Sequence, residues 1–225
     1  MDGFTSKAIG RLALLAGTAG VLAILTLVLF FVGLFQNIAA LASLGSVNDT
    51  LNAIFSLLSA VLASVLYPAL LRFVPRLSLI LLIAAWGGAI AVVYGSWLII
   101  TGRSDVELSS YYFFFGNGLI GIWLLAANRM ARQQNAWPRS LTLWGSIAAA
   151  FLMWGLLALY GIVMRWDGDM FSLLLLVMGV GYLGIGILYP IWCLRLGRWI
   201  LAGRAQDTLV SSTTASASPR IRRSG

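Results

Sequence analysis

Polar and apolar positions in this chain do not alternate; they fall in blocks. Six long apolar runs, at 12–35, 51–71, 77–100, 111–127, 141–164 and 170–194, are separated by short polar segments. An apolar run of about 20 residues matches a hydrocarbon core of about 30 Å at the rise of an α-helix. The pattern predicts an all-α fold, a polytopic transmembrane helical bundle of six spans. A transmembrane barrel would show short alternating segments instead. Around the spans, 1–11 forms an N-terminal tail, 12–204 the transmembrane domain, and 205–225 a basic Ser/Thr-rich tail expected to be disordered.

The stretch 111–132, YYFFFGNGLIGIWLLAANRMAR, displays the plan of one crossing. Aromatics open it, Asn117 stands between Gly116 and Gly118, an apolar run follows, and Arg129 and Arg132 close it. The segment 36–52 reads as a polar loop carrying Asp49, with 38–44 lying along the interface. Pro75 suits the first turn of the third helix, where its missing N–H leaves no bond unmade. The segment 40–42, Ala-Leu-Ala, has the look of a signal-peptidase site. The run before it is much longer than a signal h-region of about 7–15 residues, so it is read as a span.

Composition sharpens the class. Hydrophobic residues make up 60% of the chain and charged residues 10%, against about 25% charged in soluble domains. So few charges could not cover a water-facing surface. The net charge of +8 would suggest nucleic acid on a soluble protein. Here the cations sit at span ends, where lipid headgroups and topology are the better explanation, and no nucleic-acid partner is expected.

Placing the N-terminus in the cytoplasm leaves every Lys and Arg except Arg103 and Arg165 on the cytoplasmic side. Asp49, Asp105, Glu107, Asp167 and Asp169 fall outside. The sequence thus predicts cytoplasmic N- and C-termini in a cell membrane.

Three stretches resemble a bacterial polytopic integral membrane family of unknown function: FFFGNGLIGIWLLAANRMARQQNAWPRSLTLWG at 113–145, LYPALLRFVPRLSLILL at 66–82 and YPIWCLRLGRWIL at 189–201. The resemblance implies a bundle of six or seven spans. It implies no activity and transfers no functional residue.

Candidate chemistry is sparse. None of the six apolar runs contains Asp, Glu, Lys, Arg or His, the groups that mark proton relays and ion paths inside membranes. The chain has no His and one Cys, Cys193. That removes His-ligated haem, the usual zinc sites, Ser-His catalysis and an intrachain disulfide. No catalytic residue, metal site or cofactor is expected, and the chain is not read as an enzyme. Cys193 is read as a packing residue, with acylation as the alternative.

Asn117, about 9 Å into its helix, and Ser56 with Ser59, on one face at i and i+3, are the candidate polar contacts within the membrane. Asn117 is read as hydrogen-bonding a neighbouring helix, and the serines as bonding a backbone carbonyl or permitting tight packing; a polar path lined by all three is the alternative. Gly116, Gly118, Gly121, Gly179, Gly181 and Gly184 are read as helix-packing glycines. Two functions follow. The first is a non-catalytic structural or regulatory membrane subunit that packs on lipid, on a membrane-protein partner or on a second copy of itself. The alternative is a small permease or channel for a neutral or lipophilic solute, with Asn117, Ser56 and Ser59 along its path.

Overall fold

The computed structural model describes residues 3–71, 75–164, 176 and 179–203. The expectations for the acidic turn 165–169, for 170–175 and 177–178 of the sixth span, for Arg72 and for the tail 205–225 lie outside the described residues. Every regular element among the described residues is helical. They are α1 (Gly3–Phe35), α2 (Ala39–Ala42), α3 (Leu44–Leu71), α4 (Pro75–Ile100), α5 (Val106–Gln133), α6 (Arg139–Met153), α7 (Ala158–Met164) and α8 (Tyr189–Leu201). Six helical stretches are long and apolar enough to cross a membrane: Ser6–Phe35, Ala39–Pro68, Leu77–Ile100, Val106–Gln133, Arg139–Met164 and Gly179–Leu201.

Local chemistry sets several boundaries. Asn37 adopts a left-handed backbone (φ 56°) and ends α1; asparagine tolerates this region better than most residues. Asp105 caps α5 by accepting from the Leu108 N–H at 3.1 Å, and Glu107 in the first turn favours the same helix end. Asn135 (φ 51°) turns the chain after α5. A 3₁₀ turn at Trp154–Leu157 joins α6 to α7. A π turn at Gly184–Leu188 leads into α8. Pro190 explains the π turn, because its ring crowds the carbonyl four residues back and it has no N–H to donate there.

The reading of 36–52 as a loop is corrected: the chain is helical at Ala39–Ala42 and continuously from Leu44. The polar side chains there do not break the helix. Thr50 Oγ1 donates to Ser46 O at 2.8 Å, and Asn52 Nδ2 donates to Asn48 Oδ1 at 3.2 Å. Polarity is thus satisfied along the helix itself.

The helices close into a ring. Going round, α1 packs on α3, α3 on α4, α4 on α5, and α5 on α6. The π turn and α8 pack on α6 and return to α1. Short connections place the C-termini of α1 and α4 and the N-termini of α3 and α5 at one end of the bundle. The N-termini of α1, α4 and α6 lie at the other.

Burial and hydropathy run in opposite directions around this ring. In α1 the most apolar window has mean hydropathy 2.5 and is 22% buried. In α5 the mean hydropathy is 1.3 and 56% is buried. The interior holds Asn48, Asn52, Ser56, Ser59, Ser96, Asn117 and Asn128, whereas Leu15, Ile83, Ile90 and Val163 lie on the outer surface.

The core between the helices is aromatic. Trp192 is fully buried. Its ring centroid lies 5.9 Å from Tyr189, 5.9 Å from Trp137 and 6.5 Å from Trp123. Trp137, half-buried, packs against this core. Cys193 is fully buried beside this cluster.

Candidate functional site

The residues singled out from sequence turn their polar atoms onto backbone. Asn117 is buried, and its Nδ2 donates to the Phe113 carbonyl of its own helix at 2.9 Å. Ser56 Oγ donates to Ala53 O at 2.9 Å, and Ser59 Oγ to Phe55 O at 2.8 Å. The intrahelical bond at Asn117 differs from the interhelical one that the sequence suggests. A carbonyl one turn back is always within reach of a short side chain. None of the three lines the large cavity described below.

Among the six glycines, Gly116 faces the Gly88 carbonyl of α4. A Cβ on Gly118 would stand 2.7 Å from Leu156 N, and one on Gly121 2.8 Å from Leu152 Cβ. A Cβ on Gly184 would stand 2.8 Å from Leu152 N. Gly181 is less tightly placed, 3.3 Å from Phe151 O by the same measure. At Gly179 nothing among the described residues lies within 4 Å of the position its Cβ would take. It stands at the start of the last described helical stretch, before that helix meets α6.

The feature that sequence reasoning missed is a cavity of about 620 Å³ at the end of the bundle where α1 and α4 finish and α3 and α5 begin. Its polar wall is the first turns of α3, with Ser46, Asn48, Asp49 and Asn52. Ser96 of α4 with Ser109 and Ser110 of α5 continue it. Its apolar wall is Leu27, Phe30 and Phe31 of α1, Phe113 and Phe114 of α5, and Tyr182. The Tyr182 ring lies 6.2 Å from both Phe113 and Phe114, so these three form one aromatic face. Phe30 lies against Gly45, where a Cβ would come within 3.0 Å of the ring. A larger residue at 45 would push that ring aside.

Hydrogen bonding on the polar wall has a direction. Asn52 Nδ2 donates to Asn48 Oδ1 at 3.2 Å. Asn48 Nδ2 points at Asp49 Oδ1 at 3.5 Å, a long contact. Ser109 Oγ donates to Asp105 O at 3.0 Å. The amide donors are thus turned toward acceptors of the wall itself. Asn52 lines the cavity although the residue is only 5% exposed. Asp49 is half-buried and makes no ion pair among the described residues. The wall offers the cavity serine hydroxyls, amide groups and one carboxylate, that of Asp49.

The sequence carried a signal for this wall. Asn48, Asp49 and Asn52 fall at i, i+1 and i+4, which puts them along one side of a helix. Reading 36–52 as loop hid that spacing. Two other side chains pair locally away from the cavity. Arg103 lies 4.7 Å over the Trp97 ring, and Trp86 Nε1 donates to Ser64 Oγ at 2.9 Å.

No protein-family model matches this chain, and no curated protein and no solved structure matches it. The site is therefore interpreted from its own geometry.

Proposed function

We propose that the chain is a six-span integral protein of a bacterial inner membrane, with both termini cytoplasmic, that acts by non-covalent binding. Its ligand is an amphiphilic molecule taken into the cavity between α1, α3, α4 and α5. The membrane reading is supported by the inverse relation of burial and hydropathy. In water the buried helix would be the more apolar one. Here α1 is more apolar than α5 and less buried. An apolar outer surface on every side exceeds any patch that a monomeric soluble protein carries.

The orientation is supported by the cations. Lys7, Arg11, Arg129, Arg132, Arg139, Arg195 and Arg198 lie toward one end of the ring, and Arg103 toward the other. The first end is then cytoplasmic, and the cavity opens toward the outer leaflet. The single observation that carries the binding reading is the cavity itself, with polar side chains of α3 and aromatic rings of α1, α5 and Tyr182 in its lining. Ligand pockets of about 300–1,000 Å³ with this mixed lining are the usual form of a small-molecule site.

A regulatory or partner-binding subunit that senses a ligand fits this geometry better than a channel. A continuous path would need Asn117, Ser56 and Ser59 to face open space. Instead they hold backbone carbonyls of their own helices.

The test uses the full chain in lipid nanodiscs and the neutral fluorescent amphiphile 1-N-phenylnaphthylamine. Wild type should show a saturable component above lipid partitioning. Ser46→Trp, which places an indole in the cavity from an exposed position of α3, should remove that component while leaving the helical signal intact. An unchanged saturable component in Ser46→Trp would contradict the reading.

A further inference from the structure

We propose that the cavity selects a lipophilic organic cation, a substituted ammonium carrying an apolar group, with Asp49 as its counter-ion. The proposal rests on the binding reading above and adds the charge class of the ligand. Three observations converge on it.

First, Asp49 lines the cavity half-buried and has no cationic partner among the described residues. A half-buried carboxylate without a counter-charge is less well solvated than one in free water. A bound cation would offset that loss.

Second, the wall around Asp49 is polar. The amide of Asn52 spends a donor on Asn48, and the amide of Asn48 faces the Asp49 carboxylate. Asn52 itself lines the cavity and is nineteen-twentieths buried. The positive charge of an ammonium would be drawn to the Asp49 carboxylate and the amide oxygens beside it, and an anionic ligand would be repelled.

Third, much of the remaining lining is aromatic. Phe30, Phe113, Phe114 and Tyr182 face the cavity. Ring faces attract a cation and accept an apolar substituent equally well. A bare metal ion would leave most of a cavity of about 620 Å³ empty. The volume and the rings call for carbon on the ligand.

The arrangement also explains why the site lies at a bundle end and not at its middle. A carboxylate near the interface is far less costly than one at the centre of a bilayer.

The experiment compares naphthalen-2-ylmethyl-trimethylammonium with its neutral carbon isostere, 2-neopentylnaphthalene, on the full chain in nanodiscs. Ser46→Trp supplies the blank for lipid partitioning. Wild type should bind the cation about tenfold or more tightly than the isostere. Asp49→Asn keeps the shape and removes the charge. It should weaken the cation about tenfold and leave the isostere within about twofold. Equal losses for both probes, or no loss for the cation, would overturn the cation assignment while the cavity reading stood. Saturable sodium binding with no organic-cation binding would overturn it as well. If Ser46→Trp left both probes unchanged, the cavity reading would fail and the inference with it.

Discussion

Gly116→Ala is expected to destabilise the bundle by about 2–3 kcal/mol, although it adds one methyl group to a helix that would otherwise welcome it. The position of that methyl is occupied by the Gly88 carbonyl of α4, and Val92 N stands 3.0 Å away on the same helix. Backbone cannot rotate aside as a side chain can, so α4 and α5 must separate. Gly87→Ala is the matched control. Its Cβ would meet only Leu119 Cδ1, at 3.9 Å, and helix propensity alone should then stabilise it by up to about 1 kcal/mol. The two substitutions differ by one methyl each, on the same helix pair, and should move the unfolding midpoint in detergent in opposite directions. A destabilising Gly87→Ala beside a neutral Gly116→Ala would show that α4 and α5 do not meet at this face.

The second large effect should come from Trp192. Its indole is fully buried against Trp123, Trp137 and Tyr189. Truncation to alanine would leave a hole where three other rings now find contact. Phe/Trp→Ala changes in soluble cores cost about 3–5 kcal/mol. When lipid is the solvent the transfer contribution shrinks and lost packing remains, so about 3 kcal/mol is expected here. Trp192→Phe should cost less than half as much. It retains a ring and removes an indole N–H that has no acceptor among the described residues. Unfolding followed by helical signal in mixed micelles would read both variants. Equal losses for Phe and Ala would contradict the view that ring packing at this position holds the core.

The six long apolar helices could be read directly from the chain, because a run of about 20 apolar residues has few other uses. Boundaries were harder. The segment 36–52 contains Gly45, Ser46, Asn48, Asp49 and Asn52, residue types that favour turns in water. Here they bond within α3, so local composition misled where tertiary packing decided. α5 likewise starts at Val106 and runs to Gln133, past both limits suggested by hydropathy, because a cap at Asp105 and a polar end extend a helix without adding apolar residues.

The site was hidden for the same reason. Sequence reasoning looked for polar groups deep in the spans and found Asn117, Ser56 and Ser59. A short side chain in mid-helix can always reach its own backbone, and these three do. The polar wall lies one to three turns nearer the bundle end, on residues taken for loop. No spacing rule in the sequence brings Phe30 of α1 and Tyr182 of the last helix to the same cavity as Asn52. Only the closing of the ring does that.

The account depends on α5 lying across a bilayer with its Asp105 end outside. The direct measurement places single cysteines at Ser104, just before α5, and at Gln134, just after it, in a Cys193→Ser background. Intact cells are then treated with a membrane-impermeant maleimide. The account predicts that Ser104→Cys is labelled in intact cells and Gln134→Cys only after permeabilisation. Labelling of both from the same side, or of Gln134→Cys alone in intact cells, would contradict it.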